Sequence, residues 1–159
     1  MPPDGPRSAL AAFRARLAAA NSATRCLEAW CAERGLGAGP VLIRRRQPLP
    51  DPPDLAALLG PAETVRHRSV TLLSGALALA DCDLWWVESR LPPAMAASLA
   101  ATEQPFGLVV APLAPRRRLL REGPAPAPHA WEVEALIEAG QAPIAAVRER
   151  FRAVLFGDA

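Results

Sequence analysis

The sequence predicts an α+β fold, an antiparallel β-sheet of about five or six strands with helices packed mainly on one face. Three observations lead there. The residues before position 35 carry two apolar stripes at helical spacing. Several later segments alternate with the period of a strand. A chain of 159 residues with 51% hydrophobic content can build one core.

Leu10, Phe13, Leu17 and Ala20 recur at helical intervals, and Asn21-Ser22 breaks the run and supplies a new cap. A second helix follows over Ala23 to Glu33, with Leu27, Trp30 and Cys31 on one face. Gly35, Gly37 and Gly39 end it. Val41 to Arg45 reads as a strand, and the proline-rich Pro48 to Pro53 as a connection that no central strand could contain. Leu55 to Leu59 suits one or two helical turns. The clearest strand is Thr64 to Leu73, where Arg66, Arg68, Val70 and Leu72 share one face and His67, Ser69 and Thr71 the other. Leu84 to Ser89 reads as a further strand, with Trp85 and Trp86 on opposite faces.

Pro92-Pro93 opens a helix over Ala94 to Thr102 with Met95 and Leu99 inward. Leu108 to Leu113 reads as a strand, and Gly123 to Pro128 as a Pro/Ala linker too short for a hinge between domains. Ile144 to Phe156 fits either a helix or a strand. Alternation of Val147, Glu149, Phe151 and Leu155 with Arg148, Arg150 and Arg152 favours the strand, and that register turns Glu149 inward. The whole chain, 1–159, reads as one domain, with residues 1–19 as an N-terminal helix free to lie at the periphery.

The bulk numbers exclude several classes of function. All 18 basic residues are arginine, set against 16 acidic residues interspersed with them, for a net charge of +2. No block of like charge suggests a nucleic-acid arm. Cys26, Cys31 and Cys82 form no CxxC pair and are expected as reduced buried thiols rather than disulfides or zinc ligands. Asp81, Asp83 and Glu88 have no metal-like spacing with His67 or His129, so neither metal nor cofactor is expected. Arg7, Arg14 and Arg16 interrupt any secretory leader, and no apolar run reaches the ~18 residues of a membrane span. A cytoplasmic protein, monomeric or weakly dimeric, is the expectation.

Two charges fall on otherwise apolar faces: Arg68 beside Val70 and Leu72, and Glu149 between Val147 and Phe151. A buried charge is costly without a partner. They could pair with each other or reach solvent at a sheet edge, or Arg68 could be a guanidinium fork for a ligand carboxylate with Glu149 as a nearby acid. Ser22 and Thr24 start a helix, where Ser22 or Asn21 can cap and the backbone N–H groups can meet an anion. Pro105-Phe106-Gly107 is a tight turn whose glycine permits close approach to a ligand. The runs Arg44 to Arg46 and Arg116 to Arg118 read as exposed, solubilising edges, with Arg118 the one candidate exception.

The order Ser22-x-Thr24-x-x-Leu27, Arg68-Ser69-Val70-Thr71-Leu72, Pro105-Phe106-Gly107 and finally Glu149 resembles the chorismate lyase family. The stretch from Ala80 through Trp85-Trp86 to Pro92, with Met95 and Thr102, is similar to uncharacterised relatives of those enzymes. The resemblance spans roughly residues 20–156. It implies a chorismate lyase-like fold with an internal ligand cavity between sheet and helices. Arg68 would hold a substrate carboxylate, and Phe106, Gly107, Ser22 and Thr24 would line the pocket.

The implied activity is elimination of pyruvate from chorismate to give 4-hydroxybenzoate. Arg68 and Glu149 would be its catalytic pair, with Glu149 as proton donor. Glu149 lies one residue further from Pro143 than the family spacing, which makes Arg148 the alternative should the register slip. Aromatisation supplies the driving force, so the reaction needs no metal or redox group. The same fold serves as an effector-sensing domain in transcription regulators. A non-catalytic binding or sensing module for an aromatic carboxylate is therefore the alternative, as is a lyase acting on a related aromatic or enol-ether acid.

Overall fold

The computed structural model describes residues 5–48, 54–60 and 64–157. Six antiparallel strands form a single sheet: β1 (Val41–Arg46), β2 (Val65–Ser74), β3 (Leu77–Val87), β4 (Arg116–Pro124), β5 (His129–Ala139) and β6 (Ala142–Arg152), in the spatial order β1-β2-β3-β6-β5-β4. Four helices cover one face, here called inner: α1 (Pro6–Ala19), α2 (Ala23–Arg34), α4 (Pro93–Ala101) and α5 (Phe106–Val109). A short α3 (Asp54–Ala57) lies on the other face, where Leu55 and Leu59 pack on Trp85, Leu136 and Ala146. This is the predicted fold class.

Two hairpins fix the registers. Gly75 at φ +60° lets β2 turn directly into β3, and Gly140 at φ +67° does the same for β5 and β6. Because of the first turn, β3 starts at Leu77, seven residues before the predicted strand, and ends at Val87, with Glu88–Arg90 forming a helical turn. The alanine-rich approach to Asp81 conceals this half, since its small residues give no apolar alternation.

Four other expectations need correction. Leu108 to Leu113 is helical rather than extended, forming the end of α5 and a 3-10 turn over Ala111–Leu113. The Gly123 to Pro128 linker is in part the end of β4. The last segment is a strand only to Arg152, after which Ala153–Phe156 closes as a 3-10 turn. Nor is α1 peripheral: Phe13 is completely buried, edge-on to Trp30, Phe151 and Phe156 with ring centroids 5.0–5.5 Å away. Most of the Pro48 to Pro53 connection falls outside the described residues.

The outer sheet face is polar where α3 does not cover it. Asp81 accepts from Thr71 at 2.6 Å and from Arg152 at 2.8 Å, and lies 2.6 Å from the His129 ring. Asp83, fully buried, pairs with Ser69 and has Arg46 and Arg150 within 3.6 Å. Two buried carboxylates therefore sit at the centre of the sheet under a cover of arginine side chains, whose stems shield them from water.

Candidate functional site

The inner face holds the two charges that the sequence singles out. Arg68, Val70 and Leu72 are all at most 5% exposed and point inward together. Glu149 also points inward, opposite Cys82 of β3 and Val133 of β5. Arg148 points outward to Glu134, which removes it as the alternative to Glu149. Yet Arg68 and Glu149 are not a pair. They stand two strands apart, and lattice spacing puts about 12 Å between their Cα atoms.

Glu149 belongs to Arg117. The Arg117 guanidinium meets both carboxylate oxygens, at 2.6 and 3.3 Å, and the two side chains are only 7% and 6% exposed. Such a fork is the strongest form of ion pair and a costly one to break. Arg117 comes from the run expected to be solvated, whereas Arg118, the candidate exception, is exposed and pairs with Glu138. Period two outward from Leu119 would have marked Arg117 as inward had β4 been recognised as a strand.

Arg68 has no such partner. Its Nη atoms donate at 3.4 Å to the carbonyls of Leu99 and Gln104, its Nε–H finds no acceptor, and no described carboxylate lies within ion-pair distance. Arg45 donates to the same Leu99 oxygen at 3.3 Å, and among the described residues its one acidic contact is Glu103 at 3.9 Å. Burial, followed by the repulsion of Arg45, pushes the Arg68 pKa down to about 10. Arg45 belongs to the other run expected to be exposed, and its side chain is 45% exposed even as it reaches the Leu99 carbonyl.

The remaining predicted residues converge at the start of α2. Ser22 caps that helix by accepting from the Arg25 N–H at 3.3 Å, so its first role is structural. Thr24 is buried. Gly107, in α5, packs against both: a Cβ built there would lie 3.0 Å from Ser22 Oγ and 3.5 Å from Thr24 Oγ1. Phe106 is buried in the layer between α5 and the sheet.

The apolar core is divided under this seam. Cys26, Leu27, Val70, Cys82 and Val133 belong to one cluster, and Leu84, Phe106, Ala135 and Val147 to another. The boundary crosses the strands between Val70 and Arg68, Cys82 and Leu84, and Glu149 and Val147. Arg68 and Glu149 thus lie where apolar packing is interrupted. A cleft of about 410 Å³ lies at the α2–α5 seam, lined by Ser22, Arg25, Cys26, Gly107 and Pro115 among others. Cys26, at its wall, is pushed up to about 11, mainly by burial, and feels the charges of Arg117 and Glu149. A second void, about 30 Å³, lies between α1 and the sheet beside Arg117 and Ala135 and has room only for water. The cleft at the α2–α5 seam is open, where an internal cavity was expected, and neither Arg68 nor Glu149 lines it. Among the described residues no group of His, Cys, Asp and Glu could hold a metal ion, and no helix is long and apolar enough to cross a membrane.

The six-stranded antiparallel sheet with helices on one face is a fold that solved effector domains of transcriptional regulators share. Among solved structures, the chain is similar to the effector domain of PhnF from Mycobacterium smegmatis, with a TM-score of 0.56 at 13% identity over 84% of this chain and 90% of that one. The whole PhnF chain aligns with a TM-score of 0.54 at 14% identity over 82% of this chain, which spans 63% of its length. A possible transcriptional regulator, YydK from Bacillus subtilis, gives 0.50 at 12% identity over 72% of this chain and 59% of that one. No protein-family model and no curated protein matches the sequence.

Proposed function

We propose that this chain is a ligand-binding domain of the effector type, whose ligand is a small aromatic carboxylate held by Arg68. The observation that carries the proposal is the state of Arg68 itself. A buried guanidinium with no carboxylate partner among the described residues, sharing a carbonyl with a second cation, is an unfavourable arrangement that an anionic ligand would relieve. Arg45 adds a second positive charge beside Arg68. Phe106 is buried on the same face, and Ser22 and Gly107 line the cleft at the α2–α5 seam. The likeness to the effector domain of PhnF supports the same reading at the level of fold.

Pyruvate elimination from chorismate is the second reading, favoured because Arg68 and Glu149 project from one sheet face. A proton donor, however, must have its acidic oxygen free to approach the leaving group. Both Glu149 oxygens are engaged by Arg117, so binding requires less rearrangement than catalysis. One experiment separates the two readings. Purified protein is tested by thermal unfolding with chorismate and 4-hydroxybenzoate, while product is followed by chromatography. Stabilisation without 4-hydroxybenzoate formation supports sensing. Formation above the spontaneous rate, lost in Arg68→Met, establishes the lyase. No stabilisation by either acid contradicts both.

A further inference from the structure

The sheet ends differently at its two edges. Beside β1 the Ile43 N–H donates to the Glu103 carbonyl at 3.3 Å, which closes part of that edge. On the far side of β4, the last strand in the sheet, no described backbone group bonds to the chain, and most of the strand is exposed. Such an edge presents a row of free N–H and C=O groups. The outer sheet face shows which charge would continue it. One register row crosses all six strands as Arg46, Ser69, Asp83, Arg148, Glu134 and Arg121, alternating in sign from β3 to β4. The row stops on a cation that is incompletely matched, because one oxygen of Glu134 accepts from both Arg148 and Arg121, each at 2.9 Å. Arg118 is exposed on the same face, where its pair with Glu138 contributes little. Arg116 is exposed and has no ion pair among the described residues. Leu119 and Leu120, also exposed, lie at the bulge between them and Arg121.

We propose that the β4 edge is a docking site for an extended acidic segment of another protein, which adds to the sheet as a seventh strand. The backbone of that segment takes up the free N–H and C=O groups. Its carboxylates stand beside Arg116, Arg118 and Arg121 on the outer face, continuing the alternation of charge, and its alternate apolar side chains cover Leu119 on the inner face. A second copy of this chain does not fit. Four of the six residues from Arg116 to Arg121 are arginine, so antiparallel pairing of two β4 strands would set like charges against each other. The same arginines that guard the edge against self-pairing leave it open to an acidic strand.

The test titrates the full chain into a fluorescein-labelled seven-residue peptide of alternating glutamate and valine, followed by fluorescence anisotropy. Saturable binding is expected, with the β4 amides gaining protection from hydrogen exchange. The same peptide with lysine in place of glutamate should bind about 10-fold more weakly or worse, and so should one N-methylated at every backbone nitrogen, which keeps the charge and loses the donors. Arg116→Glu, at an exposed position, should weaken the glutamate peptide about 10-fold without lowering the thermal midpoint. Arg68→Met should bind the peptide as wild type does, which keeps this proposal separate from the carboxylate reading. No binding, or equal binding of the lysine or the N-methylated peptide, overturns it. Competition by duplex DNA as strong as that of unlabelled peptide makes the surface a general polyanion site and also overturns it. So does a wild-type dimer in sedimentation that the peptide dissociates, since a second copy would then hold the edge.

Discussion

Arg45 and Arg68 donate to one acceptor, the backbone carbonyl of Leu99, at 3.3 and 3.4 Å. Two cations on a single neutral oxygen repel each other, and the inner one is nearly cut off from water. Binding sites commonly retain arrangements that cost stability, because the ligand completes them.

That cost is measurable. Arg68→Met keeps the long stem and removes the buried charge, so the variant should be more stable than wild type by about 1 kcal/mol. Urea unfolding monitored by tryptophan fluorescence checks this. A loss of stability would show that the two carbonyl contacts hold Arg68 as a structural residue.

The Arg117–Glu149 pair should behave in the opposite way when broken. Glu149→Ala leaves a buried guanidinium unpaired and should cost about 3 kcal/mol. Replacing both residues by methionine should recover most of the loss. The double-mutant cycle in urea reads the coupling directly, and additive single costs would mean that the two side chains do not interact in solution.

The sequence was most legible where a strand or helix is half apolar. Leu27, Trp30 and Cys31 on α2, and Val70 and Leu72 on β2, are buried as their spacing requires. So is Phe151 beside the inward Glu149. Legibility failed at β4, which is mostly exposed and carries four arginines, because an edge strand needs few apolar residues. It failed again at Leu108 to Leu113, whose apolar run suits a buried helical turn as well as a strand. The first failure bears on the site, because missing β4 hid Arg117. Arg68 and Glu149 were found because each interrupts an apolar face, but Arg117, the partner of Glu149, lies in a segment whose polarity conceals its structure.

Gly107 should accept a methyl group only at a cost. In Gly107→Ala the new Cβ would lie 3.0 Å from Ser22 Oγ, so the capping hydroxyl must give way by a few tenths of an ångström. A cost of about 1 kcal/mol is expected from overpacking. Adding Ser22→Ala removes the contact, and this second change should restore part of the stability despite losing a helix cap. Thermal unfolding of the three variants measures it.

Acid should weaken the protein through its outer face. Burial raises the Asp81 pKa, but the hydrogen bonds from Thr71 and His129 and the charges of Arg152 and Arg46 outweigh it, and the net shift is downward. A carboxylate with a folded pKa below the unfolded value of about 3.9 contributes stability above that pH and loses it as pH falls through the folded pKa. Glu122, lowered chiefly by its hydrogen bond from Arg14, adds to the same window. Urea midpoints should fall below about pH 4. Asp81→Asn should cost about 2 kcal/mol at neutral pH and flatten the acid limb. An acid limb unchanged in that variant would assign it to other carboxylates.

The most direct test of the central claim is a calorimetric titration of 4-hydroxybenzoate into wild type and Arg68→Met. A carboxylate clamped by a buried guanidinium should bind wild type at a single saturable site. It should bind the variant at least 100-fold more weakly, although the variant is the more stable protein. Equal affinity in the two proteins, or no binding to wild type, would contradict the assignment of Arg68 as the ligand's partner.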